Sequence, residues 1–243
     1  MSTIRTLLLS TLLSLSLPAF AFKLTPIEAE FAPARQALQT FKVDNIGGAG
    51  PVAIELTVHA RRMARDGSDA LTPASDDFVV FPDQIVLQPG ETQSVRVQWT
   101  GDQQPAQELA YRLVAEQLPI ELGSNGANRS GLKLMVKYLA ALYVRPADPA
   151  AILTADIRPD TRAAGKFAVL SVRNSGNAHL VLQSPMVLIH VAGQQIELTP
   201  EQRDAVHGKN VLAGVERELL LPWSVALEQG ELTVQLQAPA GTL

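Results

Sequence analysis

The sequence predicts an all-β protein with two immunoglobulin-like β-sandwich domains. Short apolar runs alternate with polar residues along most of the 243 residues, and Gly, Pro and Asn separate the runs. About seven such runs per hundred residues is the strand density of an immunoglobulin-like sandwich. No segment sustains a helical period, and residues 200–206 are compatible with one short helix at most.

An internal repeat predicts that the two domains share one plan. Residues 41–47 return as residues 170–176, and each copy is an alternating apolar run that ends in Asn-x-Gly. Residues 86–91 return at a similar offset as residues 211–216. Chance pairing of short apolar patterns is the alternative. We expect domains at residues 22–145 and 150–243, joined by a linker at 146–149 that two prolines stiffen.

The alternation predicts the individual elements in order. In the first half we expect strands at residues 24–31, 37–45, 53–60, 78–81, 85–87, 94–99, 110–117 and 132–144. In the second half we expect strands at residues 152–157, 167–174, 180–182, 186–191, 195–198, 215–221 and 231–237. Residues 61–75 are polar and predict a surface loop. Residues 121–131 are rich in Gly and Asn and predict a flexible connection.

The predicted strand at residues 132–144 is unusually long and changes character along its length. In its first half one face is apolar and the other is polar, whereas its second half is apolar on both faces. The apolar face carries Leu132, Leu134, Val136, Tyr138, Ala140 and Leu142. This pattern indicates an edge strand that is buried at one end and presents outward-facing apolar side chains to a partner at the other. An ordinary central strand of a sandwich is the alternative.

The N-terminus and the composition predict an exported protein. Residues 1–21 combine Arg5, an apolar run and a closing Ala-Phe-Ala, which is the pattern of a secretory signal peptide. The run is too short to span a bilayer, and no later segment is long enough, so we expect no membrane insertion. The formal net charge of −4 gives no basic footprint for nucleic acid. The absence of cysteine excludes thiol nucleophiles, disulfides and thiolate metal sites.

No residue constellation supports an enzyme. The four histidines, at 59, 179, 190 and 207, show no metal-ligand spacing. The sequence has no Gly-x-Ser-x-Gly elbow, phosphate-binding loop or dinucleotide fingerprint. We therefore expect no catalytic activity, no metal and no cofactor.

Three separated segments carry a specific combination of motifs. They are residues 81–97, then Tyr111-Arg112-Leu113 with Glu116 and Pro119, then residues 142–146 before the two-proline linker. In this order they resemble the PapD-like family of periplasmic pilus-assembly chaperones. The resemblance implies a boomerang of two immunoglobulin-like domains that binds and caps pilus subunits in the periplasm by donor-strand complementation. It also implies delivery of those subunits to an outer-membrane usher.

The resemblance also implies which residues meet the subunit. It places Leu132, Leu134, Val136 and Tyr138 at the donated positions of the strand. The family's best-known branch anchors the subunit's terminal carboxylate with an Arg and a Lys, but the matching positions here hold Glu28 and Ala141. This departure favours an archaic or alternative branch.

A carboxylate anchor, if one exists, must then come from elsewhere in the chain. Arg112 and Lys137 are the candidates, although both are equally compatible with solvated surface charges. The competing interpretation of the whole chain is a structural or adhesive two-domain sandwich at the cell surface. A secreted hydrolase is disfavoured by the empty motif search.

We predict that the mature protein begins at Phe22, because the charged, apolar and cleavage regions of a signal peptide are all present. Mass spectrometry of exported material should show this terminus. Recovery of a chain that retains residues 1–21 would contradict the prediction.

Overall fold

The computed structural model describes residues 22–46, 50–119, 135–162 and 165–237. In the first half the strands are β1 (Lys23–Thr25), β2 (Glu28–Phe31), β3 (Leu38–Asp44), β4 (Val52–Met63), β5 (Asp69–Pro73), β6 (Phe78–Phe81), β7 (Gln84–Leu87), β8 (Thr92–Trp99), β9 (Leu109–Gln117) and β10 (Lys137–Val144). In the second half they are β11 (Leu153–Arg162), β12 (Gly165–Asn174), β13 (Leu180–Val181), β14 (Val187–Val191), β15 (Gln194–Ile196), β16 (Asn210–Val211), β17 (Glu216–Pro222) and β18 (Leu232–Leu236). One helix, α1 (Pro200–Val206), occupies the residues predicted for it, and no described helix is long and apolar enough to cross a membrane.

The first domain is a sandwich of two sheets around one core. One sheet has the order β1-β3-β8-β6, and the other has the order β2-β10-β9-β4-β5 with β7 also paired to β4. Alternation sends every second side chain of each strand into the space between the sheets. Phe78 lies at the centre, where its ring meets Phe31, Trp99 and Tyr111 edge-on at centroid distances of 5.0–5.4 Å. Edge-on aromatic packing adds to the apolar area that these four rings bury.

The second domain has a separate core built from smaller sheets. Its described strands form the sheets β11-β12-β17, β15-β14-β18 and β13-β16. Fully buried Leu170, Leu182, Ile189 and Leu221 lie in its core. The protein therefore consists of two immunoglobulin-like sandwiches, and the predicted fold class is confirmed.

The internal repeat has a physical cause in a buried asparagine. Asn45 directly follows β3 and Asn174 ends β12, and both are completely buried. Asn45 Nδ2 donates to the carbonyl oxygen of Leu87 at 3.1 Å, and Asn174 Nδ2 donates to that of Val211 at 3.2 Å. Leu87 and Val211 both belong to the second repeated segment. In each domain the buried asparagine of the first echo therefore bonds to a carbonyl of the second echo, at positions that differ by one residue between the two copies.

Two predicted elements differ from the structure. The predicted strand at 24–31 is two strands, because the chain leaves one sheet after Thr25 and enters the other at Glu28; Pro26, which has no N–H to donate, lies at this break. The predicted surface loop at 61–75 is wrong, since its ends form the β4–β5 hairpin. One ion pair between β4 and β5, from Arg61 to Asp69, satisfies two of the polar residues that made the segment resemble a loop. The predicted signal peptide and the connection at 121–131 lie outside the described residues.

We predict that Asn174→Ala lowers the free energy of unfolding by about 2–4 kcal/mol, because several buried backbone groups would lose their hydrogen-bond partner. Asn174 accepts from the amides of Ile152 and Gly176 in addition to its two donated bonds. Asn45 makes only two donated bonds among the described residues, to the carbonyls of Gly50 and Leu87. Asn45→Ala should therefore cost less than Asn174→Ala in urea unfolding, and equal or reversed costs would contradict this account.

Candidate functional site

The strand β10 has a complete partner on one side and an incomplete one on the other. It pairs antiparallel with β9 along its whole length, from Lys137 opposite Glu116 to Val144 opposite Leu109. On the other side β2 pairs with it in parallel, but only from Ala141 to Val144. Among the described residues, the half from Lys137 to Ala140 therefore has a free edge. Unpaired N–H and C=O groups on such an edge can accept another strand.

The second half of β10 is held from both faces. Ala140, Leu142 and Val144 point into the core of the first domain and are at most 1% exposed. Ala141 and Tyr143 point the other way and pack with Leu212 of the second domain. This explains why the sequence is apolar on both faces only in this half. The strand is rigidly fixed at one end and open along one edge at the other.

The apolar row of the first half lies at the rim of the core. Val136 and Tyr138 are half-buried and pack against the first core. The Tyr138 ring meets Phe22 edge-on at 5.0 Å. The expectation that this row faces outward is therefore wrong for these two residues, because their alternation is continuous with that of Ala140, which is buried. Met135 and Leu139, on the opposite face, are 49% and 48% exposed.

Two of the four predicted donor positions lie outside the described residues. Leu132 and Leu134 belong to this group, and their assignment stays a prediction. The strand predicted from residue 132 is described from Met135 onward and begins at Lys137.

The positions that the resemblance assigns to the basic pair are direct neighbours in the sheet. Ala141 lies opposite Glu28 on one side and opposite Arg112 on the other. Register partners on adjacent strands place their side chains on the same face. Arg112 therefore lies directly beside the place where the family's Lys is expected, on the sheet face that meets the second domain.

The two candidate anchors have different surroundings. Arg112 Nη2 donates to Asp69 Oδ2 at 3.0 Å, while Arg61 Nε donates to Asp69 Oδ1 at 2.8 Å. Burial opposes ionisation of Asp69, but these two hydrogen bonds outweigh it and lower the pKa of its carboxyl group. Lys137 Nζ instead forms an exposed ion pair with Glu116 at 2.7 Å. Exposed pairs of this kind contribute little to stability.

Sequence reasoning missed a polar contact that joins the domains. The carboxylate of Glu108 is 1% exposed, and its Oε1 accepts from the backbone N–H of His179 at 3.1 Å and lies 2.6 Å from the Nδ1 of the same residue. The His179 ring stacks on Tyr143 with centroids 3.9 Å apart. The Tyr143 hydroxyl accepts from Asn210 Nδ2 at 2.7 Å. No local pattern marks Glu108 in the sequence, since its partners, His179 and Arg145, are distant in the chain.

A cleft remains between the two domains beside this contact. It has a volume of about 360 Å³, and Arg61, Tyr111 and Leu212 are among its lining residues. Arg61 thus borders both the cleft and the Asp69 ion pair. The free edge of β10 and the two arginines that contact Asp69 belong to one sheet, and Arg61 lies at the cleft.

Comparisons with known proteins agree with this architecture. Residues 31–150 match the family model of the pili and flagellar-assembly chaperone, PapD N-terminal domain. The chain is similar, at 17% identity and a TM-score of 0.56, to a chain of the CsuC–CsuE chaperone–tip adhesion subunit pre-assembly complex from archaic chaperone-usher Csu pili of Acinetobacter baumannii, covering 88% of this chain and 97% of that one. No curated protein shows significant sequence similarity to it.

Two further solved structures show the same fold. One is the class 5 fimbriae chaperone CfaA, at 14% identity and a TM-score of 0.55, covering 90% of this chain and all of that one. The other is a chain of the Salmonella enterica SafA pilin in complex with the SafB chaperone, at 19% identity and a TM-score of 0.53, covering 90% and 97% of the two chains. Through residues 31–150 the first domain of this protein belongs to the PapD-like family of pilus-assembly chaperones.

Proposed function

We propose that this protein is a periplasmic chaperone that caps pilus subunits by donor-strand complementation and delivers them to an outer-membrane usher. The observation that carries the proposal is the free edge of β10 from Lys137 to Ala140, which continues a strand fixed on both faces. A subunit that lacks a strand would pair with this edge. Its groove would receive the apolar row that begins at Leu132.

Two physical terms would favour such a complex. The edge would satisfy backbone groups that are unpaired in both partners. Each Leu or Val side chain that becomes fully buried contributes about 1.5–3 kcal/mol, so the four positions Leu132, Leu134, Val136 and Tyr138 would dominate the affinity. Because Val136 and Tyr138 are already half-buried, they would gain less than fully exposed residues would.

The fixed half of β10 would lower the cost of binding. A strand that is already ordered loses little conformational entropy when a partner pairs with it. Ala140, Leu142 and Val144 hold the backbone in extended geometry before any subunit arrives. The subunit therefore meets a preformed template.

The solved relatives and the sequence support the compartment and the partners. Similar chains occur in complexes of a chaperone with a tip adhesion subunit and with a pilin. The signal-peptide pattern of residues 1–21 supports export to the periplasm. Assembly would draw its energy from subunit folding, without a nucleotide.

Arg112 is the better supported anchor for a subunit's terminal carboxylate. It lies beside Ala141 in the sheet and faces the second domain, whereas Lys137 is engaged in an exposed pair with Glu116. A charge-assisted hydrogen bond contributes about 1.5–3 kcal/mol, which is enough to set the register of the paired strands.

We predict that Leu134→Asp and Val136→Asp each reduce recovery of co-expressed pilus subunit at least about tenfold, because a groove cannot bury an unpaired carboxylate cheaply. Met135→Asp is the matched control, since Met135 lies between them on the opposite, exposed face. Co-purification and a thermal melt of each variant measure binding and folding separately. Equal losses at all three positions, or none, would rule out the proposed alternation.

We predict that Arg112→Gln weakens subunit binding by about ten- to a hundredfold, at about 1.4 kcal/mol per factor of ten. Lys137→Gln should have a smaller effect because its charge is solvated. Titration at low salt with both variants and the double variant measures the difference. Unchanged affinity in the double variant would show that strand pairing alone sets the register.

A further inference from the structure

Two arginines contact one aspartate beside the contact between the domains, and a third arginine lies against the turn of the β4–β5 hairpin. Arg61 and Arg112 both donate to Asp69, and their side chains are only 6% and 19% exposed. Arg217 of the second domain lies against Gly67 in the same hairpin. Its burial, followed by repulsion from Arg61, lowers the pKa of its guanidinium. The cluster therefore carries more positive charge than Asp69 neutralises.

The guanidinium groups are incompletely satisfied. The Nε atoms of Arg112 and Arg217 are buried and have no hydrogen-bond partner among the described residues. Asp69 takes one donor from each of Arg61 and Arg112, so neither arginine makes the two-pronged contact that guanidinium and carboxylate geometry favours. A carboxylate that accepted from both Nε and Nη2 of Arg112 would remove one of these unpaired donors.

Asp69 lies on an edge strand of the sheet. β5 is an edge strand, and among the described strands it pairs only with β4. Its hairpin turn reaches the second domain, where the carbonyl of Arg65 accepts from the amide of Glu218 at 2.6 Å. The Asp69 carboxylate itself remains 22% exposed, so it can exchange its partners for water.

We propose that Asp69 is a resident carboxylate that occupies the Arg61–Arg112 receiving site in the free protein, and that the terminal carboxylate of a bound subunit displaces it. This inference rests on the proposed chaperone function and adds Arg61 as the second receiving residue. The resident carboxylate offsets repulsion between two largely buried guanidinium groups while no subunit is bound. Asp69 also sets a threshold for binding at this site. A carboxylate competes with a group already in place only when strand pairing on β10 holds it nearby at high effective concentration.

The test uses the mature protein and acetate as the carboxylate probe, without any subunit. Thermal melts are recorded in sodium acetate and in sodium chloride of equal ionic strength. The variants are Asp69→Asn and Asp69→Ser, which empty the site, Asp69→Glu, which keeps the charge, and Asp69→Asn with Arg112→Gln, which removes a receiving residue. Acetamide is the neutral control for the probe.

We expect the Tm of Asp69→Asn and of Asp69→Ser to be about 2 °C higher in acetate than in chloride. This is the shift expected when the acetate concentration is about three times its Kd for the site. The wild-type protein, Asp69→Glu and the double variant should not respond. An equal response of wild type and Asp69→Asn would show that Asp69 does not occupy the site, and no response in either neutral variant would show that the site takes no carboxylate.

If neither neutral variant folds, Asp69 is a permanent structural group and the proposal is wrong. Because the assay contains no subunit, its failure is separable from failure of the proposed function. The β10 variants would still report on subunit capping in co-purification, whatever acetate does at Asp69.

Discussion

The rest of the structure depends on the burial of one strand from two sides. The second half of β10 belongs at once to the core of the first domain, through Leu142, and to the contact between the domains, through Tyr143. Neither face can shift without opening one of these two contacts. The N-terminal half of β10 therefore presents its free edge in a fixed direction. Among the described residues, no strand pairs with that edge.

The contact between the domains includes polar groups, although the second half of β10 that takes part in it is largely apolar. Tyr143 stacks on His179, and the buried Glu108 meets both the ring and the backbone of that histidine. The stacked rings and the bonds of Glu108 join the two domains at this point. The contact thus fixes how β10, the cleft and the arginines lie relative to one another.

Other basic residues lie on the same sheet face as the two positions where the family's basic pair is expected. Ala141 and Glu28 are register partners, so the two substituted positions form one site rather than two independent changes. Arg112 faces that site from the next strand, and Arg61 joins it through Asp69. The positive charge on this sheet face therefore comes from strands β4 and β9. Comparing only positions 28 and 141 with the family's basic pair does not reveal it.

The sequence by itself determined the strands, the two-domain plan and the strand that carries the candidate site. Alternation is a local property, so the strand Phe78–Phe81 is predicted with the bounds that the structure shows, and α1 lies in the one segment that the sequence left compatible with a short helix. Tertiary structure alone decided which way the apolar row points, the β4–β5 hairpin, and the partners of Glu108 and Asp69. These depend on contacts between residues far apart in the chain, and a polar residue has no local signal that distinguishes a buried ion pair from solvent. The repeated asparagine lies between these cases, since the sequence shows its recurrence while the structure shows the hydrogen bond that explains it.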